Sequence, residues 1–535
     1  MNEPLTPIPR PLAMRALLAI VVAALAGLLC LYAYLSLQWP MMREGHFLHY
    51  MAYLVNEHGF APYRDVLETS WFGTVLFHSA IGQLFGYTSS GFRQADLLYL
   101  AALLLVTWRI LNRFDHWLAW VGTLSTGLMY LHYGPANSLQ RDYVLVLPIT
   151  LSLLISLQSP WRSNTRALLI GACFGAVVSI KPHAIIGLPV VLGLLYSQSK
   201  EGRSAWQIIG CCGIGGTAVF AAGLLWLWWR GGLAAFIDMT LHYLPLYQSF
   251  NGAHQITTPT ERWQSTVFWW RYFLWIWPYS VAIGLLHAWF NSDNPSTQRP
   301  LILAIAGLAV CFNLYPLIAG KFWDYHWIPY SFFSVLGTSL LLAPLRRQGW
   351  GNQLLSCALL CYFIYALGSQ YAPWIGYRDQ IRRWPDIGVD QKFDGEVAQF
   401  IRQNLPPGEK IQIIEQGGPA TLYLLQAEAV LATPYLGSFM FLHHTEQPYV
   451  QHAQQDFLQR LATKPPALFL VMTDFTRPSG PGTITEIPGL KPFLQQHYAV
   501  IWQHQAFAFW QRKPSAAESP AAPIPAPHSV PVSPP

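Results

Sequence analysis

The chain has 535 residues, of which 53% are hydrophobic, 15% aromatic and only 11% charged. An ordinary soluble domain is about 25% charged, so this composition excludes a typical soluble enzyme. The net charge of +6 is small for the length and gives no nucleic-acid footprint. The charge deficit is uneven: residues 1–375 hold 33 charged side chains and residues 376–535 hold 25. Residues 1–375 therefore read as a membrane domain and 376–513 as a soluble one. All seven cysteines (Cys30, Cys173, Cys211, Cys212, Cys311, Cys357, Cys361) fall in apolar segments, which argues against a disulfide framework or a zinc ribbon.

Met14 to Trp39 is a long apolar run without a small-residue cleavage site. It reads as a retained first span rather than a signal peptide. Arg10 and Arg15 precede it, which predicts a cytoplasmic N-terminus. Further spans are predicted at 93–112, 117–133, 143–158, 166–181, 184–198, 205–229, 266–290, 300–319, 328–344 and 353–372, about eleven in all. Ser70–Gly86 is apolar but short and contains His78 and Gln83, so it either crosses the bilayer or lies flat on it. Lying flat puts the short basic loops at Arg109/Arg113, Arg162/Arg166, Lys200/Arg203, Arg299 and Arg346/Arg347 on the side of Arg10 and Arg15. The positive-inside rule favours that topology.

The opposite, outer side then receives residues 43–68, 140–142, 181–183, 230–262, 321–326 and the whole C-terminal region. Charges close to a bilayer are costly, so their recurrence on one side points to function. Glu44 follows the first span directly. His46–Glu57 has spacing suited to an interfacial helix, and Gly59–Asp65 is a turn. Arg141 and Asp142 end one loop, Lys181 precedes Pro182, and Lys321, Asp324 and His326 share the run GKFWDYHWIP. Cations at this depth suit a phosphate-bearing lipid. A carboxylate suits removal of a proton from a hydroxyl. Each residue also has a plainer reading: Arg141–Asp142 as a local ion pair, Lys181 as a snorkelling side chain, His326 as part of an aromatic interface belt. Tyr243, Tyr247, Trp263 and Trp323 suit either a sugar face or a lipid anchor. His443, His444 and Glu446 have no sharp metal spacing, and no metal site or other cofactor is expected.

Past Trp374 the pattern changes. Helices are predicted at Phe393–Leu405, Pro419–Gln426 and Lys491–His497, and Asp456–Thr463 reads as the end of another. Strands are predicted at Lys410–Glu415, Val430–Thr433, Ala467–Thr473, Ala499–Gln503 and Phe507–Gln511. This alternation implies a small α/β domain, without GxGxxG or P-loop signatures. Its role reads as capping or recognition. Residues 514–535 contain eight prolines and read as a disordered tail.

The order of these motifs resembles the GT-C superfamily of integral-membrane glycosyltransferases, in particular bacterial protein O-mannosyltransferases and aminoarabinose transferases. The residues that carry the resemblance are Glu44, the run from Gly59 to Gly86, Gln140–Asp142, Lys181 and the run Lys321–Pro329. The C-terminal order of elements is also similar to the outer α/β domain of many such proteins. The resemblance implies a mainly helical, polytopic fold with a soluble extracytoplasmic domain, in the cytoplasmic membrane. It implies a polyprenyl-phosphate-linked sugar donor and inverting transfer to a hydroxyl of a lipid, glycan or protein acceptor. Glu44 takes the place of the family's first-loop acid, usually Asp, with Asp65 as the other candidate. Asp142 would assist the base or orient the acceptor. Arg64, Lys181, Lys321 and His326 are candidates for the donor phosphate, and Glu68, Arg141 and Asp324 for other substrate contacts. Some branches of the superfamily use a divalent cation; none is assigned. The rival functions are a transporter or flippase of lipid-linked sugars, a polysaccharide polymerase or ligase, and a non-catalytic assembly factor. The transporter is disfavoured because no internal repeat is apparent and the charges lie on one face.

Overall fold

The apolar runs fold as helices, and some of them begin at a short polar side chain that caps the first turn. A computed structural model describes residues 11–158, 160–199, 204–249, 257–273, 277–345, 350–371, 384–415, 419–472, 483–504 and 507–514. The predicted boundary at 375/376, the basic loops at Lys200/Arg203 and Arg346/Arg347, and the tail after Pro514 lie outside the described residues. The helices in chain order are α1 Leu12–Ser36, α2 Glu44–Glu57, α3 Phe72–Phe85, α4 Ser89–Leu111, α5 His116–His132, α6 Arg141–Val144, α7 Val146–Ser156, α8 Ser163–Ile180, α9 Leu188–Ser197 and α10 Ala205–Trp229. They continue as α11 Leu233–Asp238, α12 Leu244–Gln248, α13 Pro259–Phe273, α14 Trp277–Phe290, α15 Pro295–Ala319, α16 Ile328–Ser339 and α17 Trp350–Tyr371.

Thr88 Oγ1 accepts the Gly91 N–H at the start of α4, and Asp115 Oδ1 accepts the Leu118 N–H at the start of α5. Each satisfies a donor that the first helical turn leaves open. Among the described residues, six helices are long and apolar enough to cross a membrane: α1, α4, α8, α10, α15 and residues 350–369 of α17. The other segments read as spans are shorter. The segment 266–290 is covered by α13 and α14 on either side of 274–276, which lie outside the described residues. Ser70–Gly86 folds as α3, ended by Gly86 at φ 78°, a backbone conformation that glycine adopts without a Cβ clash. α2 is packed on nearly every face: from Gly45 to Val55 every residue except Phe47 is buried.

The chain forms two compact units. The first comprises residues 1–62, 69–234 and 248–392 and contains the helices just described apart from most of α11 and α12. The second comprises 63–68, 235–247 and 393–535. It is therefore built from three stretches of chain, two of them from the loops of the helical half.

The second unit holds a four-stranded sheet of β1 Ile411–Ile414, β2 Leu468–Met472, β3 Tyr498–Gln503 and β4 Phe507–Arg512, in the order β1-β2-β4-β3. β1 and β2 are parallel, with Ile411 opposite Leu468. β4 is antiparallel to both of its neighbours. β1 and β2 are buried at every position, as their unbroken apolar runs require. Val430–Thr433, expected as a strand, makes only an isolated bridge between Leu431 and Ile411. The reason is local: the Gln412 side chain takes the next rung, its Oε1 accepting the Thr433 N–H at 3.1 Å and its Nε2 donating to the Tyr435 carbonyl at 3.0 Å.

Candidate functional site

Three separate stretches of the first unit deliver charged side chains, and each does so just after a residue in the left-handed region. Arg43 (φ 49°) precedes Glu44 at the start of α2. Leu139 (φ 48°) precedes Gln140 and Arg141 at the start of α6, and Phe322 (φ 54°) precedes Trp323 and Asp324. None is glycine, so each such backbone costs about 1–3 kcal/mol and persists only where its surroundings enforce it. Lys181 comes from a fourth place, the C-terminal end of α8, where Pro182 stops the helix.

Glu44 and Arg141 form a bidentate pair. Arg141 Nη2 donates to Glu44 Oε1 at 2.7 Å and Nε donates to Oε2 at 3.0 Å. The Tyr325 hydroxyl donates to the same Oε1 at 2.9 Å, and Arg141 Nη1 donates to Ser70 Oγ at 2.9 Å. The two ionic side chains are 30% and 15% exposed, so this pair is reachable from solvent. Immediately beneath it in sequence, Asp142 is fully buried. Its Oδ2 accepts Lys181 Nζ at 2.6 Å and its Oδ1 accepts the Tyr315 hydroxyl at 2.6 Å. Lys181 Nζ also lies 5.4 Å from the Tyr325 ring centre and 5.9 Å from that of Tyr315. Cations over aromatic faces at such distances are favoured.

The run Lys321–His326 closes the same cluster. Asp324 accepts two bonds from Arg43 Nη1 at 3.0 and 3.2 Å, and a longer one from Asn137 Nδ2 at 3.4 Å. The His326 ring is buried 4.7 Å from the Tyr325 ring and 6.2 Å from the Tyr315 ring. Burial holds its imidazole well below the ordinary histidine range, and the neighbouring Lys181, His183, Arg141 and Lys321 push the same way. It is therefore neutral near pH 7. Burial, and then Arg262, bring the Lys321 ammonium down to about 7. Burial also lowers Lys181 from the usual lysine range against the pull of Asp142.

Of the residues singled out by sequence, Glu44 and Arg141 thus form one hydrogen-bonded set with Tyr325, and Asp142 and Lys181 form a second with Tyr315. The adjacency of Arg141 and Asp142 and the contact of Lys181 with the Tyr325 ring join the two, and the run that supplies Lys321, Asp324 and His326 packs through the His326 ring against Tyr315. The local reading of Arg141 with Asp142 as an ion pair is replaced by two longer-range pairs, Arg141 with Glu44 and Asp142 with Lys181. Arg64, Asp65 and Glu68 belong to the second unit. There Arg64 donates to both carboxylate oxygens of Asp65, at 2.7 and 2.9 Å. Five participants escaped the sequence reading: Arg43, Ser70, Asn137, Tyr315 and Tyr325. Arg43 and Tyr325 adjoin residues already singled out, but Tyr315 sits in an apolar span where nothing marks its hydroxyl as a partner. No group of three or more His, Cys, Asp or Glu residues among the described residues has the geometry to hold a metal ion.

No known protein-family profile matches the sequence, and no curated protein matches it. Solved structures do. The aminoarabinose transferase ArnT from Cupriavidus metallidurans in the apo state shares 13% identity, with 91% of this chain and 97% of that chain covered and a TM-score of 0.57. The same ArnT bound to undecaprenyl phosphate shares 14% identity, with 93% and 99% covered and a TM-score of 0.56. At this identity the likeness concerns the fold. The chain shares the mainly helical fold of these structures and, as expected, carries a small C-terminal sheet.

Proposed function

We propose that this protein is a membrane glycosyltransferase that moves a sugar from a polyprenyl-phosphate-linked donor to a hydroxyl acceptor with inversion. The observation that carries the reading is the convergence of two carboxylates, Glu44 and Asp142, with the cations Arg141 and Lys181. Such a set is what displacement of a lipid phosphate by a hydroxyl needs. The ArnT likeness supports it, since one of those structures holds undecaprenyl phosphate. In this reading the site faces the outer side of the cytoplasmic membrane, the N-terminus is cytoplasmic and the C-terminal domain is extracytoplasmic.

Glu44 accepts the proton of the acceptor hydroxyl. The acceptor oxygen bonds to the anomeric carbon from the face opposite the phosphate. The bond from that carbon to the phosphate oxygen breaks, and its electron pair leaves with the polyprenyl phosphate. Arg141, Lys181 and Lys321 stabilise that anion, with neutral His326 able to donate one further hydrogen bond. Glu44 is the better base of the two acids, because it is reachable while both oxygens of Asp142 are occupied in the interior. Asp142 holds Lys181 in place. Arg141 links the two tasks: a donor phosphate competes with Glu44 for the guanidinium, and binding of donor thereby frees the base.

The test offers the purified full chain a panel of polyprenyl-phosphate sugars with lipid, glycan and protein acceptors. The wild type is expected to release polyprenyl phosphate and transfer sugar. Glu44→Gln is expected to lower kcat by about 100-fold or more, as loss of a general base does, while still binding undecaprenyl phosphate. Turnover retained in Glu44→Gln would remove Glu44 from the role. Movement of intact donor across a vesicle membrane without cleavage would instead favour the flippase.

A further inference from the structure

α4 carries a buried ion pair in its first two turns. Arg93 and Asp96, three residues apart, are 1% and 0% exposed and bonded to each other. A buried pair of this kind gains little net stability over apolar residues of the same volume, and ionisable side chains within a span mark functional positions. Its remaining bonds run to two places, the end of α1 and the stretch around residues 138 and 139. Arg93 Nη1 donates to Ser138 Oγ at 2.8 Å, and Nη2 and Nε donate to Ser36 Oγ at 2.7 and 3.2 Å, with the guanidinium 4.4 Å from the Trp39 ring. Asp96 accepts the Tyr130 hydroxyl. That hydroxyl in turn accepts the backbone N–H of Leu139 at 3.2 Å. The Tyr130 ring stacks on Tyr143 with centres 3.7 Å apart and planes 15° apart.

Ser138, Leu139 and Tyr143 bracket Arg141 and Asp142. Leu139 is the left-handed residue through which the chain enters α6. We infer that Arg93, Asp96 and Tyr130 are positioning residues: they fix the 138–143 segment so that Arg141 reaches Glu44 while Asp142 reaches Lys181. The inference rests on the transferase reading for its kinetic consequence and on geometry alone for its structural one.

The experiment measures hydrogen exchange and steady-state kinetics on the full chain in lipid nanodiscs, for wild type, Tyr130→Phe and Asp96→Asn. Tyr130→Phe keeps the stacked ring and removes only the hydroxyl, so it stays informative where Asp96→Asn fails to fold. The expected result is exchange at least ten-fold faster in residues 138–142 and unchanged in α8. With it comes a ten-fold or greater fall in kcat, while KM for a polyprenyl-phosphate sugar stays within two-fold. Unchanged exchange in 138–142 overturns the inference, as does exchange accelerated equally through α4, α5 and α8. Local acceleration with kcat unchanged overturns it too. Wild-type protein that cleaves no donor defeats the transferase reading, while the local exchange response still decides the positioning claim.

Discussion

Asp142 and Glu415 show how differently two buried carboxylates can be kept. Asp142 has Lys181 at 2.6 Å and a tyrosine hydroxyl on its other oxygen, so its charge is compensated at once. Glu415, at the end of β1, is as deeply buried but has no cation beside it among the described residues. The Ala420 N–H donates to its Oε2 at 3.0 Å, and its Oε1 has no partner among those residues. Burial pushes its carboxyl up to about 8 from the ordinary 4.5, against the pull of those helix N–H groups. The unfolded chain releases this proton near pH 4.5 and the folded unit keeps it until about pH 8. The unfolded state thus binds fewer protons between those values, and stability falls as pH rises through them, with a slope approaching about 1.4 kcal/mol per pH unit. Below pH 4.5 the contribution is complete, and above pH 8 it is lost. Glu415→Gln keeps an acceptor for Ala420 and has no proton to release. Denaturant melts of the two proteins from pH 4.5 to 8.5 should show the slope in the wild type and a flatter curve in the variant. Parallel curves would assign the pH dependence elsewhere.

At the scale of elements, the long apolar helices α1, α8 and α10 are legible from their length and hydropathy, and the two central strands β1 and β2 because burial demands unbroken apolar runs. What stays illegible is set by side-chain geometry rather than composition. The Leu431 stretch has strand-forming residues, yet the Gln412 amide takes the rung it would need. The acids and cations of the site could be found by type and by sidedness. Their pairing could not, because Glu44 and Arg141 are 97 positions apart and Asp142 and Tyr315 are 173 apart. Arg93 and Asp96 fall inside a predicted span, yet the sequence reading passed over them, although ionisable side chains at such positions are a functional signal. Helix spacing at the site depends on small residues. A Cβ at Gly175 of α8 would stand 2.5 Å from the Gly216 carbonyl oxygen of α10, and one at Gly73 of α3 would stand 2.6 Å from the Ser179 backbone. Both obstacles are backbone and cannot step aside. Gly175→Leu should therefore push α8 off α10, displace Lys181 at its end, and cost at least about 1–3 kcal/mol, as overpacking does. A Cβ at Gly213 of α10 meets nothing within 4 Å, so Gly213→Leu is the control. Thermal melts in detergent should separate the two by several degrees; equal melting would mean that α8 and α10 are not held by close backbone approach.

For the molecule as a whole, the division between membrane half and soluble half is less simple than the charge distribution implies. The second unit draws on 63–68 and 235–247 as well as on the C-terminal stretch. Leu67 N–H donates to the Pro434 carbonyl at 2.7 Å and Leu67 bridges Tyr435 in parallel. Tyr63 lies against Phe236 with ring centres 5.0 Å apart, Tyr243 stacks on Tyr449, and the Tyr449 hydroxyl donates to Asp238 at 3.2 Å. A fragment cut where the composition changes loses all of these partners. It would expose the Pro434 carbonyl and the faces of Tyr435 and Tyr449, and polar groups and aromatic faces left without their partners cost stability. A fragment of residues 384–514 should consequently melt lower than the second unit does in the full chain, and bind more of a hydrophobic dye. Hydrogen exchange of β1 and β2 is the direct comparison, because those strands are buried throughout and report the opening of the whole sheet. Faster exchange in the fragment is expected. Equal protection of β1 and β2 in the two contexts would show that the C-terminal stretch folds by itself and that the two loop segments merely rest on it.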